Sequence, residues 1–464
     1  MAAVAGVVAA LAVAALAGLV RPAEPAPTGL VIITLDTTRA DRLSPYGYMN
    51  VSLPAIERLA REGVVFDQAS SVAPLTLPAH ASLFTGAIPP RHGVRDNADP
   101  PLDVSHTTLA EVLASRGFRA AAFVASAVLA PDRGLAQGFE TYDGASPTEP
   151  RTTDAAQRRA DAVVDDAIAW LDAAGKSPFF LWTHLYDPHR PYDPPEPYRS
   201  TYGHNPYVGE IAFADAQIGR LVDALERLGR LDRTVVVVTA DHGESLGDHG
   251  ERDHGIFVYE EAVRVPLIVR APGVPAGRVG QVVRLTDVMP TVLHLLGMPA
   301  PAMDGVSLAG LLRGDRRDLE LEVYAESLYP ERFGWSSLRA LRSARFKLID
   351  APRPELYDLG RDPFEERNIY DLRSPLARAM LARLDDLAGR DDASGGTARA
   401  DPPSDLRERL AALGYVAGPD RQGRAAQSRA DLPDPKDCIG LVSEPGASVQ
   451  DARCRTAPRL FGAR

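Results

Sequence analysis

The sequence predicts an α/β fold with a mostly parallel central sheet, followed by a small antiparallel sheet. From residue 29 onward, short and nearly uninterrupted apolar runs alternate with amphipathic segments, which is typical of strands covered by helices on both faces. Between residues 320 and 370 the pattern changes to alternating polar and apolar positions rich in Tyr and Arg. This change favours antiparallel strands packed on the main domain.

Four apolar runs are predicted to form the centre of the main sheet, at residues 30–35, 120–124, 179–185 and 234–239. A further strand is predicted after Arg264, in the run RVPLIVR. Helices are predicted from Thr107 or Thr108 to Gly117, over 154–174, over 209–228, and around Pro290 up to Gly297. Glycines at the helix ends and direct continuation into the next strand support these assignments.

Four segments are predicted along the chain. Residues 1–22 form a signal peptide or membrane anchor, since they begin with twenty uncharged, apolar residues and are followed by a Pro-rich stretch. Residues 28–315 form the main α/β domain and 316–375 the sheet subdomain. Residues 376–464 form a helical and then largely disordered tail, because they are rich in Asp, Arg, Ala, Gly and Pro. We therefore expect an extracytoplasmic protein, periplasmic or secreted, or one attached to a membrane through its N-terminus.

The charge balance limits the partners. The 464 residues carry 51 Lys and Arg against 62 Asp and Glu, a net charge of -11, which argues against a nucleic-acid-binding surface. The two cysteines, Cys438 and Cys454, both lie near the C-terminus. The main domain therefore has no thiolate nucleophile or ligand, and any anionic ligand there needs positive charge from another source, such as a metal ion.

Polar residues follow three of the predicted central strands. Asp36 ends the first, Asp187 and His189 follow the third, and Asp241 and His242 end the fourth. The carboxyl ends of parallel strands share one edge of a sheet, which is where ligands bind. We therefore expect these side chains to lie close together.

Asp36, Asp241 and His242 suit a divalent cation, because carboxylates and imidazole bind Zn, Mn, Ca or Mg according to the other ligands. Gly243 permits a tight turn after them. The alternatives are a helix cap for Asp36 and a polar surface loop for the run DHGESLGDHGERDHG.

Thr76 precedes Pro78 at the start of a predicted helix that ends at Gly86. A helix N-terminus attracts anions, so a hydroxyl there is well placed to attack a bound phosphate or sulfate. Alone, such a Thr is more often a simple N-cap. Together with two clusters of metal-ligating residues, it is a candidate nucleophile.

These segments resemble the sulfatase branch of the alkaline phosphatase superfamily between residues 30 and 369. The resemblance is carried by LDTTRADRLSPYG, TLPAHASLFTG, DHGESLGDHG, TDVMPTVL, DGVSL and FKLIDAPRPELYDLGRDPFEERNI. It implies an alkaline-phosphatase-like α/β/α sandwich with a small C-terminal sheet subdomain. It also implies a metal-dependent hydrolase of sulfuric or phosphoric esters.

One departure from the family concerns the nucleophile. Sulfatases use Cys or Ser in a Cys/Ser-x-Pro-Ser-Arg block and oxidise it to formylglycine, whereas this chain has Thr76, Leu77, Pro78, Ala79 and His80. The β-carbon of Thr carries a methyl group, so its oxidation gives a ketone and never the aldehyde. No formylglycine is expected, and Thr76 resembles the direct nucleophile of the superfamily's phosphodiesterases and phosphotransferases. Phosphorus esters thereby become as credible as sulfates.

A second departure concerns the metal. This branch commonly has two adjacent Asp residues after the first strand, and here the second is Thr37. The change makes a calcium site less favoured than a transition-metal site formed by four residues. These predicted ligands are Asp36, Thr76, Asp241 and His242.

The remaining histidines complete the predicted site. By resemblance, His189 contacts substrate and His254 takes the place of an active-site Lys. One alternative is that these two histidines form a second metal site with Asp187. The other is that they bind ester oxygens and protonate the leaving group. The predicted catalytic set is Thr76, His254, His189 and His80. His80, His184 and His249 are weaker candidates, more often supporting groups.

Three functions remain open at this stage. The first is hydrolysis of a sulfate, phosphate or phosphonate ester of a small molecule, glycan or lipid, with one or two Zn, Mn or Ca ions. The second is a membrane-associated transferase that moves a phosphoryl-alcohol group onto a glycan or lipid. The third is a non-catalytic exported binding protein.

Overall fold

The computed structural model describes residues 26–144, 157–316, 318–389, 402–413, 415, 429–442 and 454. The predicted signal peptide or anchor, residues 1–22, lies outside the described residues. Within the described ranges, no helix has both the length and the apolar character that crossing a bilayer requires.

The described residues contain two sheets. The strands are β1 Gly29–Leu35, β2 Val64–Ser70, β3 Arg119–Val124, β4 Thr141–Asp143, β5 Phe179–Leu185, β6 Thr234–Ala240, β7 Arg264–Arg270, β8 Gly277–Arg284, β9 Val323–Ser327, β10 Leu338–Arg342, β11 Phe346–Asp350 and β12 Glu355–Asp358. The α-helices are α1 Pro54–Glu62, α2 Thr76–Thr85, α3 Pro89–His92, α4 Leu109–Ala114, α5 Ala160–Ala173, α6 Tyr198–Tyr202, α7 Pro206–Arg227, α8 Glu260–Val263, α9 Val288–Leu295, α10 Ala309–Leu312, α11 Pro375–Ala388, α12 Ser404–Ala412 and α13 Pro435–Cys438.

The main sheet has eight strands in the order β4-β3-β5-β1-β6-β7-β2-β8. The predicted fold class is confirmed, because all of these strands except β7 run in the same direction. The central strands β1, β5 and β6 are buried along their whole length. Their continuous apolar sequences reflect this burial on both faces.

The strand predicted after Arg264 is present as β7, but it runs antiparallel to β6. The chain between β6 and β7 contains a 3-10 turn at Asp248–Gly250 and the short helix α8, and no long crossover helix. It therefore stays at the carboxyl edge of the sheet and returns directly, which produces an antiparallel neighbour.

Three strands of this sheet, β2, β4 and β8, lie towards its edges and were not predicted. The strand β4 has only three residues, and β8 contains two glycines and exposed positions. In β2, the pairing with β7 is interrupted between Phe66 and Ala69. Short or irregular edge strands lack the continuous apolar pattern that identifies central ones.

Helices cover the sheet in two packed groups. The longest helix, α7, packs against α1 and α5, while α2 packs against α9. Helix α4 begins after Thr108, whose hydroxyl accepts from the N–H of Glu111, while the Glu111 carboxylate accepts from the N–H of Thr108. This reciprocal capping explains why the start of α4 could be predicted at Thr108.

The predicted sheet subdomain is confirmed as four antiparallel strands in the order β12-β11-β10-β9. Helix α11 packs on β10 and β11. The first part of the predicted tail is therefore a helix of this subdomain.

The described residues beyond 400 are packed on the rest of the protein, while the remainder of the tail that was predicted to be largely disordered lies outside the described residues. Leu406, Leu410 and Leu413 are buried in the main hydrophobic core, and a disulfide joins Cys438 to Cys454. The three leucines recur at helical spacing and form one apolar face, which is enough for α12 to dock. The average composition of the tail obscured this local pattern.

Candidate active site

The acidic residues predicted to share one edge of the sheet are brought together by neighbouring strands. Asp36 follows β1 and Asp241 follows β6, and these two strands are paired in register. His184 lies in β5, on the other side of β1. Its Nε2 is 3.3 Å from Asp36 Oδ2, and all three side chains are fully buried.

The two carboxylates have few hydrogen-bond donors around them. Asp241 Oδ1 accepts from the backbone N–H groups of Thr37, at 3.2 Å, and His242, at 2.8 Å. Asp241 Oδ2 and both oxygens of Asp36 have no hydrogen-bond partner among the described residues. Buried anionic oxygens without donors are costly unless a cation balances them.

His242 presents one nitrogen to these carboxylates. Its Nδ1–H donates to the Gly243 carbonyl at 2.9 Å, which leaves the lone pair on Nε2. This Nε2 lies 3.8 Å from Asp36 Oδ1, 3.5 Å from Asp241 Oδ2 and 3.4 Å from Thr76 Oγ1. Such a tautomer, fixed by a carbonyl on the far nitrogen, is the form that binds metals.

The residues present fit a divalent cation. Asp36, Asp241 and His242 each offer a ligand atom, and these atoms lie within 4.8 Å of one another. Burial raises the pKa of Asp36 to about 6 and that of Asp241 to about 7, while burial lowers the pKa of His242 to about 3. The imidazole is therefore neutral and provides no counter-charge. Two carboxylates and one imidazole suit Zn or Mn.

Thr76 is the first residue of α2 and is buried, but it is not the capping residue of that helix. Instead, the Asn97 side chain accepts from the Leu77 N–H at 2.9 Å. The Thr76 hydroxyl is thus not consumed by capping, and it lies beside His242 Nε2. Sequence reasoning missed Asn97, because its capping contact comes from a distant loop.

His80 lies one turn along α2, and both of its ring nitrogens are used inside the protein. Nδ1–H donates to the Thr76 carbonyl at 2.8 Å, and Nε2 accepts from the Thr34 hydroxyl at 3.0 Å. His80, His184 and Asp241 form another group with suitable spacing for a metal, but the two bonds of His80 leave it no free nitrogen. His80 supports the backbone of Thr76, so we assign it no chemical step.

His184 is closer to the candidate metal ligands than the sequence indicated. Both of its ring nitrogens are buried and have no hydrogen-bond partner in the part of the chain that the structure describes, and burial lowers its pKa to about 4. A neutral imidazole 3.3 Å from Asp36 is an additional ligand candidate. The signal that could have found it is a His inside a strand that is apolar except for Thr183, FFLWTHL.

His189 and His254 lie next to each other beyond this group, with ring centroids 5.0 Å apart. His254 Nδ1 is 3.1 Å from Glu244 Oε1, and its Nε2 is 3.0 Å from the Tyr415 hydroxyl. Burial alone would lower the pKa of His254, but the Glu244 carboxylate raises it to about 9. His189 donates from Nδ1 to the Arg190 carbonyl at 2.7 Å, and burial lowers its pKa.

The structure does not place Asp187 with these two histidines. Its carboxylate accepts from the N–H of Ala160 at 2.8 Å, at the start of α5. The carboxylate that contacts His254 is Glu244, the last residue of the DHGE motif. The second metal site predicted from Asp187, His189 and His254 therefore lacks its carboxylate. His249 lies apart as well, bonded to Glu261 at 2.6 Å.

Two backbone features hold the acidic residues in place. Thr37 has a φ of 50°, a left-handed conformation that costs a β-branched residue about 1–3 kcal/mol. Its hydroxyl donates to the Pro188 carbonyl at 2.9 Å, so this hydroxyl is directed away from the candidate metal ligands. A Cβ at Gly243 would lie 1.9 Å from the Glu261 carbonyl oxygen. Gly243 is thus required for a close backbone approach.

A buried arginine that the sequence analysis missed joins the two loops of the site. The Arg39 guanidinium binds both oxygens of Asp41 at 2.8 Å and Asp248 Oδ2 at 2.7 Å. It also donates to the Glu244 carbonyl at 3.2 Å. These bonds fix the loop after β1 against the loop after β6.

A cavity of about 470 Å³ opens beside the histidines. Its lining combines polar groups, among them His189, His254 and Arg190, with apolar side chains such as Ile256 and Phe333. Two parts of the C-terminal segment also line it. These residues are Ala411, Ala412, Leu413, Tyr415, Ile439 and Val442.

Several sulfatases are similar in sequence to this chain. The ulvan-active sulfatase of Formosa agariphila is 26% identical over 416 residues, covering 78% of this chain and 80% of its own length. Human arylsulfatase A is 25% identical over 425 residues, covering 74% of this chain and 83% of its own length.

Solved structures show the same fold. A protein in complex with its substrate D-glucosamine-2-N,6-O-disulfate matches with a TM-score of 0.67 and 22% identity, covering 79% of this chain and 99% of that one. The phosphonate monoester hydrolase of Agrobacterium radiobacter matches with a TM-score of 0.65 and 23% identity, covering 78% and 94%.

Family profiles cover both parts of the fold. The sulfatase profile matches residues 29–298, which is more than half of the chain. A profile for the C-terminal part of N-sulphoglucosamine sulphohydrolase matches residues 247–388. The fold, the site and these matches agree, and the chain belongs to the sulfatase family.

Proposed function

We propose that this sulfatase-family ester hydrolase cleaves sulfuric or phosphoric esters, including phosphate mono- and diesters and phosphonates, with Thr76 as the direct nucleophile. Asp36, Asp241, His242 and the Thr76 hydroxyl would hold a divalent cation. The observation that carries this proposal is the contact of 3.4 Å between Thr76 Oγ1 and His242 Nε2. That nitrogen faces carboxylate oxygens for which the described residues provide no hydrogen-bond donor.

Each group at the proposed site has its own role in the reaction. A divalent cation at this position lowers the pKa of a neighbouring hydroxyl and offsets charge on the ester oxygens. The Thr76 hydroxyl releases its proton to solvent, its Oγ forms a bond to sulfur or phosphorus, and the bond to the leaving oxygen breaks. A proton from His254, whose pKa is raised to about 9, neutralises that oxygen. Water then hydrolyses the ester on Thr76, returning the hydroxyl and releasing sulfate or the phosphorus acid.

The presence of Thr at position 76 also bears on whether formylglycine can form there. Since the β-carbon of Thr carries a methyl group, it cannot become the aldehyde that sulfatases proper use. The fold is shared with phosphonate monoester hydrolases as well as sulfatases. This supports phosphorus esters alongside sulfate esters as substrates.

Two further observations bear on substrate and location. The relatives include an enzyme active on ulvan and a structure with a sulfated glucosamine, which supports a saccharide ester as one substrate class. The Cys438–Cys454 disulfide supports an oxidising, extracytoplasmic compartment. The apolar N-terminal twenty residues support the same location.

The first experiment replaces the nucleophile. Thr76→Ala is expected to lower kcat by at least about 10³-fold, since the loss of a nucleophile cannot be compensated by the remaining groups. Thr76→Ser is the matched control, because it keeps a hydroxyl in the same position and is expected to retain turnover. Circular dichroism and metal analysis should show that both variants keep the fold and most of the metal. Wild-type turnover by Thr76→Ala would remove Thr76 from the mechanism.

The substrate is best narrowed with a panel. Rates on an aryl sulfate, a phosphate monoester, a phosphate diester and a phosphonate ester would be measured, each with Zn, Mn and Ca. A single ester class that exceeds the others in kcat/KM would fix the reaction. Equal rates after complete removal of metal by a chelator would contradict the metal-dependent part of the proposal.

A further inference from the structure

The C-terminal segment reaches into the active site through Tyr415. The Tyr415 hydroxyl lies 3.0 Å from His254 Nε2, and the Thr76 side chain lies beside it. The side chain is buried. One phenol therefore contacts both the proposed nucleophile and a proposed proton donor.

The segment that carries Tyr415 is firmly docked. Leu406 and Leu410 of α12 are buried in the main core, and Arg409 pairs with Asp132 at 2.9 Å. The N–H of Tyr415 donates to the Leu410 carbonyl at 2.9 Å. This bond places Tyr415 directly after the end of the helix, where its position depends on the docking of α12.

The ring of Tyr415 is also held from several sides. Its centroid lies 5.8 Å from that of His254, 6.2 Å from that of His189 and 6.1 Å from that of Tyr329. Contacts with three rings limit its movement, so the hydroxyl is directed at one place. Preorganised donors of this kind are the ones that stabilise charge developing in a transition state.

Tyr415 lies beyond both family matches, which end at residues 298 and 388. The matched regions therefore supply Thr76 and His254 but not the group that links them. This link comes from a part of the chain that the family profiles do not describe.

We propose that Tyr415 is a further catalytic residue, supplied by the C-terminal segment, that holds the Thr76 hydroxyl for attack and then hydrogen-bonds an oxygen of the reacting sulfate or phosphorus group. This inference rests on the proposed role of Thr76. For attack, the sulfur or phosphorus atom must come within about 3–3.5 Å of Thr76 Oγ1. An oxygen of that tetrahedral group then lies within reach of the Tyr415 hydroxyl beside Thr76. No bond to Tyr415 forms or breaks, because it acts only through hydrogen bonds.

Tyr415→Phe tests this role, because it keeps the ring and removes only the hydroxyl. We expect kcat to fall by about tenfold or more, the effect of losing one hydrogen bond at a reacting group. KM, Tm and metal content should change much less. Tyr142→Phe is the matched control, since its partly buried hydroxyl donates to the Leu129 carbonyl away from the site. Its kcat should equal that of wild type.

Two results would overturn the proposal. Wild-type kcat in Tyr415→Phe would show that the ring is only part of the cavity wall. A higher kcat would show that the hydroxyl obstructs the substrate. Neither result affects the proposed function, which fails separately if Thr76→Ala retains turnover.

A second variant tests the docking of the segment. Leu410→Ala removes a buried anchor of α12 without altering any group in the cavity, and it is expected to lower kcat in the same direction as Tyr415→Phe. Global unfolding, followed by denaturant titration, would show that the main domain stays folded. An unchanged kcat with a detached segment, detected by limited proteolysis after α11, would overturn the claim that α12 delivers Tyr415.

Discussion

Two groups of buried charge in this molecule differ in how they are balanced. At the active site, Asp36 and Asp241 lie beside the neutral imidazoles of His184 and His242, and they retain oxygens without donors among the described residues. Between the main domain and the small sheet, Glu260 lies 3.2 Å from the Lys347 ammonium and 3.2 Å from the Arg342 guanidinium. The Lys347 ammonium also lies 3.0 Å from Glu365.

The pKa values of the carboxyls reflect this difference. Burial raises the pKa of Asp36 and of Asp241. Burial would likewise raise the pKa of Glu260, but Arg342 and Lys347 lower it to about 2. The protein thus supplies the cations where charge serves to join two sheets. At the active site the residues beside Asp36 and Asp241 include neutral imidazoles instead, which supports the proposal that these two carboxylates hold a divalent cation.

Asp241→Asn should produce the largest difference between the two groups. An Asn can still accept from the Thr37 and His242 N–H groups, so the backbone should be preserved while the charge is lost. We expect metal affinity to fall by more than the roughly 10–100-fold typical of losing an outer partner, and kcat to fall with it. Metal titration and steady-state kinetics would measure both. Full metal affinity in this variant would show that Asp241 is not a ligand.

Lys347→Met should affect only the buried charges between the main domain and the small sheet. It removes a buried ammonium and leaves two carboxylates with one guanidinium, so the free energy of unfolding should fall by about 3–5 kcal/mol. Denaturant titration would measure this, and metal affinity should stay at the wild-type value. Arg345→Gln is the control, since its pair with Asp358 lies on the surface of the same sheet. Equal stability of Lys347→Met and wild type would contradict the importance of the network.

The pH dependence of the metal-free protein provides a third and smaller test. The carboxyls of Asp36 and Asp241 ionise with ordinary pKa values of 3.8 when unfolded, and with values of about 6 and about 7 when folded. The folded state therefore binds more protons between these values. Their contribution to the free energy of unfolding is complete below about pH 4 and is lost as the pH rises to about 7.

This trend would be measured by denaturant titration across that range in the presence of a chelator. Asp241→Asn should show a shallower fall than wild type, because one of the two groups no longer titrates. A saturating divalent metal should also flatten the trend in wild type. Identical slopes for wild type and Asp241→Asn would mean that Asp241 does not titrate in this range.

The parts of the fold that the sequence predicted are those with strong local patterns. The central strands β1, β3, β5 and β6 were found because burial on both faces demands continuous apolar residues. The direction of β7 was not predicted, because direction depends on where the connecting chain runs. The docking of α12 was missed because its three leucines lie within a segment whose other residues are mostly polar.

The residues of the active site likewise fall into those that the sequence predicted and those that it missed. Asp36, Asp241 and His242 were predicted to converge because each stands at or just after the end of a buried strand, and Thr76 because it begins a helix. The role of His184 was not found, since an inward-facing His in a strand reads as a core residue. Glu244, as the partner of His254, and Asn97, as the cap of α2, were also missed. Their partners are distant in sequence, and hydrogen-bond partners of this kind leave no periodic signal.

The sequence by itself determined the fold class, the edge of the sheet where the candidate site lies, and that the Thr76 side chain cannot become the formylglycine aldehyde. These follow from side-chain chemistry and from periodic patterns that act over a few residues. Only the tertiary structure decided which histidines have free nitrogens, which carboxylates lack a cation, and that Tyr415 lies beside Thr76. Such facts depend on contacts between segments far apart in the chain, and those contacts exist only after the core has brought the segments together.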